Sequence, residues 1–304
     1  MKILITGANG LLGQKLVELL GHDPAKTVLA TGQGNCRILH LPENTRYAAC
    51  DVTNSEDVHR IVADFQPNAI LHTAALTNVD ECEQNPERCE LLNVTATKFV
   101  LAASEAVGAH LIHLSTDFIF DGERGPYDEE ALPNPISIYG QSKLDAELVV
   151  KNARCPWAIV RTILVYGIAP GLSRSNIILW VKSSLEQGKS IQVVDDQFRT
   201  PTLAEDLADG CIRIANHKAT GIFNIGGKEL LTPYAMALET AAFFQLDASL
   251  IHKASAATFS QPARRPPRTG LVIDKAHEEL GYDPHSFAEG IAILARQLQT
   301  HQLA

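Results

Sequence analysis

Three residues in this chain have types and positions suited to moving a proton at a carbonyl. Tyr139 and Lys143 stand four apart in "YGQSK", at the start of a stretch with helical period, so both side chains project from one helix face. An ammonium beside a phenol stabilises the phenolate and lowers a pKa that starts near ~10, which would suit Tyr139 to donate or accept a proton near neutral pH. Thr116 closes the apolar run "HLIHLST" and offers a hydroxyl that can hold a carbonyl oxygen. A Tyr and a Lys at this spacing are by themselves usually a solvated pair, so the proposal needs support from elsewhere in the chain.

That support lies near the N-terminus, in "TGANGLLGQKL". Gly7, Gly10 and Gly13 follow a strand-like run and precede a helical one, with Asn9, Leu11 and Leu12 between them. Small residues there let the chain turn tightly and let a pyrophosphate approach the first amides of the helix. A plain strand-to-helix turn would look the same, but later segments carry residues suited to the rest of a dinucleotide. Asp51 and Val52 close the third run, where a carboxylate can accept from adenine; Ala74 and Ala75 close the fourth and leave room for the nucleotide. The second run ends in "ATGQGNCR", without the acid that would bind a ribose 2′-hydroxyl, and with Arg37 in reach of a 2′-phosphate. This favours NADP(H) over NAD(H), with an ordinary solvated arginine as the other reading of Arg37.

The elements that must position these groups are legible as an alternation. The runs "KILIT", "TVLAT", "RYAACD", "AILHTAA", "HLIHLST" and "WAIVRT" are rich in β-branched residues and alternate with helical stretches. Leu11, Leu12, Leu16, Leu19 and Leu20 share one helical face; Val58, Ile61, Val62 and Phe65 share another. Asn54 and Ser55 ahead of Glu56 and Asp57 mark a helix start. The pattern predicts an α/β fold, a doubly wound parallel sheet in residues 1–165. Residues 166–304, where "GIAPGLSRSN", "DDQFRTPT" and "SQPARRPPRTG" are loop-like, are expected to form mainly a smaller C-terminal substrate-binding lobe over the C-terminal edge of the sheet, with some segments returning to it.

Composition narrows the class further. The chain has 304 residues, is 45% hydrophobic, and carries a formal charge of −9, which argues against a general affinity for nucleic acid. No run is long enough to span a membrane and no basic leader precedes the first strand, so a cytoplasmic protein without membrane partners is expected. Cys36, Cys50, Cys82, Cys89, Cys155 and Cys211 show no zinc spacing and read as reduced, mostly buried thiols; no metal site is expected.

With these residues in place, the chain resembles the extended short-chain dehydrogenase/reductases, and within them the dTDP-4-dehydrorhamnose reductase family. The resemblance runs nearly end to end, through "TGANGLLG", "HTAALTNVDECE", "NVTATKFVLAA", "LIHLSTDFIFDG", "NPISIYGQSK", "RTILVYG", "DDQFRTPT" and "ARRPPRTGL". It implies a Rossmann-type cofactor domain and hydride transfer to the 4-keto carbon of a nucleotide-linked 6-deoxyhexose. Tyr139 would protonate the developing alkoxide, Lys143 would bind the nicotinamide ribose, and Thr116 would orient the keto oxygen. Asp117 and the segment from Thr77 to Asp80 would flank the sugar, while Gln197, Thr200 and Arg265 would line the nucleotide-sugar site, with Arg265 on the diphosphate. A solvated basic loop is the other reading of Arg264, Arg265 and Arg268. Members of the superfamily commonly pair, which makes a homodimer an expectation of the resemblance.

Two positions depart from the family pattern: Phe118 replaces a tyrosine, and Arg199 replaces a glycine and is expected to add a charge at the substrate mouth. A dehydratase would carry an Asp-Glu pair after the threonine, where this chain has Asp117 and Phe118. An epimerase commonly has an acid after the second strand, which is missing here. A reductase of another ketone, or a non-catalytic regulatory subunit resembling the β subunit of methionine adenosyltransferase, shares many of these motifs, and turnover distinguishes the last of these.

Overall fold

The computed structural model describes residues 1–172 and 176–302. In the loop read at 167–176, residues 173–175 therefore lie outside the described part. The strands are β1 (Lys2–Thr6), β2 (Thr27–Gly32), β3 (Thr45–Ala49), β4 (Ala69–His72), β5 (His110–Thr116), β6 (Trp157–Thr162), β7 (Val165–Tyr166), β8 (Ile191–Val194), β9 (Thr202–Leu203), β10 (Gly221–Asn224) and β11 (Ile251–Ala254). Between and after them lie α1 (Leu11–Gly21), α2 (Ser55–Phe65), α3 (Val79–Gln84), α4 (Pro86–Glu90), α5 (Ala96–Val107), α6 (Ile138–Lys151), α7 (Ile177–Glu186), α8 (Ala204–His217), α9 (Pro233–Phe243), α10 (Asp274–Leu280) and α11 (Phe287–Gln302).

Seven strands form one parallel sheet in the order β3-β2-β1-β4-β5-β6-β10, as expected of a doubly wound fold. Its central strands are covered on both faces, which is why they read as unbroken apolar runs. On one face Leu16, Val17 and Leu20 of α1 and Leu207, Cys211 and Ile214 of α8 pack over Ile3, Ile5 and Val160. On the other, Val58, Ile61 and Val62 of α2 and Val100 and Ala103 of α5 pack over Leu4, Ile70, Leu111 and Ile159. The helix start at Asn54 is present, its side chain accepting from the amides of Glu56 and Asp57.

Two details differ from the expectation. The seventh strand, β10, is only "GIFN", too short to stand out from its neighbours, and comes from the C-terminal half. The third and fourth strands end earlier than their apolar runs: Asp51 follows β3 by two residues, and Ala74 follows β4 by two. The chain winds outward to β3 on one side of β1 and to β6 on the other, so a crevice opens between the ends of β1 and β4, where ligands bind in such sheets.

The rest of the C-terminal half has its own packing. Ile178 of α7, Met236 of α9 and Ile291 and Leu294 of α11 form one apolar cluster with Tyr166 and Phe287, and Val181, Ile191, Ala237 and Ile251 anchor a second beneath the parallel pair β8 and β11. Among the described residues, no helix is long and apolar enough to cross a membrane.

Candidate active site

The glycine loop joins β1 to α1. A Cβ on Gly13 would lie 2.4 Å from the carbonyl oxygen of Gly7 and 2.5 Å from Cα of Ala8, so only glycine lets the first turn of α1 pack against the loop. Gly10 is different: a Cβ there would meet only the Gly7 carbonyl oxygen, at 3.3 Å. Gly10 starts α1 with no side-chain cap, and the amides of the first turn, at Leu11, Leu12 and Gly13, are left to face an anion. A dinucleotide pyrophosphate therefore fits the loop.

Asn9 links this loop to the one after β2. Its Nδ2 donates to the Asn35 carbonyl (3.0 Å) and to the Tyr47 hydroxyl (3.0 Å), and its Oδ1 accepts from the Arg37 amide (2.9 Å). Arg37 is thereby fixed at the backbone while its side chain is exposed. Asp51, half-buried, accepts from the amide and hydroxyl of Thr53 and from Gln33, and these bonds hold its carboxyl below the usual range. Val52 is buried, and Ala74 and Ala75 lie half-buried across the crevice from Gly7.

Helix α6 carries Tyr139 and Lys143. Ser137 caps it, accepting from the Gly140 amide at 3.1 Å. A Cβ on Gly140 would sit 2.2 Å from the carbonyl oxygen of Phe118, so glycine lets the helix approach the turn after β5 closely enough to bring Tyr139 to Thr116. The Thr116 side chain is near enough to the Tyr139 hydroxyl to draw its pKa down, and the Phe118 ring meets that of Tyr139 edge-on at 5.6 Å.

Lys143 is buried and donates to the Leu114 carbonyl at 2.6 Å, with His113 Nε2 3.5 Å away. Burial lowers Lys143 to about 8, partly opposed by the charge of Glu147. The expected lowering of Tyr139 is not found. Its phenol is pushed up, because loss of water around the buried hydroxyl outweighs the pull of the Thr116 side chain, while Lys143 is turned to the Leu114 carbonyl.

One turn beyond Lys143, the sequence reading missed Glu147. It is fully buried and accepts from Arg161 Nε (3.0 Å), Arg161 Nη2 (2.9 Å) and Ser115 Oγ (2.6 Å), locking α6 onto β5 and β6. The available signal was an arginine inside the apolar run "WAIVRT", a charge that needs an acidic partner if the run is buried.

On the other side of Thr116, "DDQFRTPT" and "ARRPPRTGL" come together although they lie more than sixty residues apart. The Phe198 amide donates to the Pro267 carbonyl (2.8 Å) and the Thr269 amide to the Phe198 carbonyl (3.2 Å). Arg199 is not a charge at the mouth. It is buried, donating to the carbonyls of Phe198 (2.7 Å), Pro266 (2.6 Å) and Pro267 (3.2 Å), with Nε 4.0 Å from Asp117. Its long side chain turns inward because those carbonyls and Asp117 satisfy the guanidinium there. Asp117 accepts from the hydroxyls of Thr116 (3.1 Å) and Thr269, and burial raises its carboxyl against the pull of Arg199.

Arg265 makes a two-pronged pair with Asp80 (2.7 and 3.1 Å), which joins α3 to the same loop. Arg268 bonds the Gly125 carbonyl and lies over the Phe198 ring, whereas Arg264 is exposed. Gln197 is half-buried, Thr200 is buried with its hydroxyl accepting from the Leu271 amide, and Thr77 is exposed at the head of α3. Among the described residues, no three His, Cys, Asp or Glu side chains gather as a metal site.

A glycine loop at a topological switch point, with Thr, Tyr and Lys converging beside it, defines an extended short-chain dehydrogenase/reductase. More narrowly, the chain belongs to the RmlD substrate binding domain family, whose model matches residues 1–300. It is 31% identical over 97% of both chains to the probable low-salt glycan biosynthesis reductase Agl14 of Haloferax volcanii. It is also 33% identical to the mouse methionine adenosyltransferase 2 subunit beta, over 82% of this chain and 73% of that one. Among solved structures, a dTDP-4-dehydrorhamnose reductase of Clostridium acetobutylicum superposes with a TM-score of 0.85 at 30% identity, covering 98% of this chain and all of the other. One from Bacillus anthracis, in complex with NADP, gives 0.83 at 27% identity, covering 97% and 99%.

Proposed function

We propose that this protein is an NAD(P)H-dependent reductase of a nucleotide-linked 4-keto-6-deoxy sugar, with NADPH the preferred reductant. The observation that carries this reading is the meeting of Tyr139 with Thr116 on a helix whose Lys143 is buried beside the crevice. When bound, the nicotinamide supplies the hydride. Thr116 and Tyr139 hold the keto oxygen, and Tyr139 gives it a proton as the C4 alkoxide develops. A phenol whose pKa is raised by burial keeps that proton until negative charge builds beside it. Lys143 places the nicotinamide ribose and supplies positive charge.

Gly10, Leu11, Leu12 and Gly13 hold the pyrophosphate; Asn9 shapes the loop, while Asp51, Val52, Ala74 and Ala75 line the adenosine and nicotinamide ends. Thr77, Asp117, Gln197 and Thr200 flank the nucleotide sugar. Arg265 takes its diphosphate in exchange for part of its pairing with Asp80. The end-to-end match to a reductase supports this over a regulatory role, although the β subunits of methionine adenosyltransferase are slightly more identical over a shorter span.

A thermal-shift screen of nicotinamide cofactors crossed with nucleotide sugars tests the assignment. Ligand at roughly a hundred times its Kd stabilises the folded state by about 2.7 kcal/mol, so NADPH is expected to raise the midpoint by about 5 °C, with a further rise from a dTDP-linked 6-deoxyhexose. No rise with any nucleotide sugar contradicts the substrate class. For the cofactor, Arg37→Ala should lower the ratio of NADPH to NADH efficiency by about tenfold, the equivalent of one charge-assisted hydrogen bond to the 2′-phosphate. An unchanged ratio removes Arg37 from that role.

A further inference from the structure

The six cysteines are free, but two of them are not isolated. Cys82 of α3 and Cys89 of α4 are fully buried with their Sγ atoms 2.8 Å apart, well inside ordinary non-bonded contact. A disulfide bond is ~2.05 Å long, so closure requires an approach of about 0.75 Å. Both sulfurs pack in one small cluster with Tyr139, and α3 also carries Asp80, the partner of Arg265.

We propose that Cys82 and Cys89 are a redox site, forming a reversible disulfide in the folded protein, and that its closure slows the chemistry at Tyr139. This goes beyond the reductase reading, and only its second half rests on that reading.

The neighbours of the pair divide the roles. Asn93 Nδ2 lies 3.4 Å and Ser142 Oγ 3.2 Å from Cys89 Sγ, with Lys143 contributing positive charge nearby. These groups and Cys82 hold the Cys89 thiol down, while burial and the adjacent sulfur push Cys82 up, so Cys89 is the nucleophile and Cys82 keeps its proton. Burial restricts the oxidant to a small one such as hydrogen peroxide. The Cys89 thiolate attacks a peroxide oxygen and the O–O bond breaks, giving a sulfenic acid and a hydroxide that takes up the proton released by Cys89. Cys82 then attacks the sulfenic sulfur, and its own proton leaves with the displaced hydroxide as water. Two thiols and one peroxide thus become one disulfide and two waters, and an external dithiol reverses the bond by exchange.

Closure pulls α3 and α4 together beneath Tyr139. Ser142, which touches Cys89, also donates to the Tyr139 carbonyl at 2.8 Å, so the shift reaches the helix that carries the phenol.

The experiment treats the intact protein with hydrogen peroxide, then counts and maps thiols after denaturation in a blocking reagent. The expected result is four free thiols instead of six, a peptide pair linked through positions 82 and 89, and NADPH-dependent turnover reduced several-fold and restored by dithiothreitol. Cys89→Ser, which removes the thiolate that peroxide attacks, should retain its turnover under the same treatment. Should that variant fold poorly, the intact mass of the peroxide-treated natural protein decides the bond: a loss of about 2 Da marks the disulfide, and a gain of about 16 or 32 Da marks oxygen addition without it. Six thiols after peroxide, or loss confined to Cys36, overturns the site. A fully formed bond with unchanged turnover overturns its coupling to Tyr139. If the reduced protein turns over no nucleotide sugar, the thiol map still decides the bond, and a smaller NADPH-induced rise in melting midpoint after oxidation decides the coupling.

Discussion

Tyr139→Phe is expected to lower turnover by roughly a hundred- to ten-thousand-fold while leaving NADPH binding nearly intact. The substitution removes one oxygen and little else. Phenylalanine retains the ring that Phe118 meets edge-on and that packs against Cys82 and Cys89, so α6 should keep its place. What is lost is the hydroxyl beside Thr116 and, in the proposed reaction, the proton delivered to the sugar oxygen. Steady-state NADPH oxidation and cofactor titration of the same sample separate the two effects. Turnover within about threefold of the natural protein would remove Tyr139 from the role of proton donor. Loss of NADPH binding together with turnover would point to a positioning role instead.

Arg161→Met should be the most destabilising of the changes considered, by about 3–5 kcal/mol, because it leaves the Glu147 carboxylate buried without its two-pronged partner. Ser115 Oγ and the more distant Lys151, at 3.7 Å, cannot replace a guanidinium that is itself only 1% exposed. A denaturant titration measures the loss. The double variant Arg161→Met with Glu147→Leu should recover much of it, since no unpaired charge remains inside. A single-site loss below about 1 kcal/mol would show that water or movement of α6 relieves Glu147, and the lock on the catalytic helix would be weaker than the geometry implies.

Much of the frame was legible because its physics is local. The inner strands are buried on both faces and therefore read as mainly apolar runs, and the partly exposed edge strand β3 still shows within "RYAACD". Asn54 caps its helix through bonds to residues two and three positions on. Gly10 and Gly13 are constrained by contacts within a few residues, as at Gly13 against Ala8, whereas Gly7 is also pressed by Thr73 and Ala74 after β4. What stayed hidden depends on partners distant in sequence. Arg199 sits in a polar stretch and looks like a surface charge until Pro266, Pro267 and Asp117 surround it. Glu147 lies on a helix face like many solvated glutamates, and only the fold brings Arg161 and Ser115 to it. Cys82 and Cys89, seven residues apart on two short helices, look scattered in the sequence and touch in space. The Tyr139 pKa was misjudged for the same reason: spacing places Lys143 on the same helix face, but neither the burial nor the Leu114 carbonyl that claims the ammonium can be read from spacing.

The central claim, that this site delivers a hydride to C4 of a nucleotide-linked keto sugar, is tested most directly with NADPH deuterated at the transferring position. Incubation with a dTDP-linked 4-keto-6-deoxyhexose should place one deuterium at C4 of the product, detected by NMR and by a mass increase of one, with one NADPH consumed per sugar reduced. Stoichiometric binding of both ligands with no NADPH consumption and no label at C4 would contradict the account, and would leave the fold serving as a regulatory scaffold.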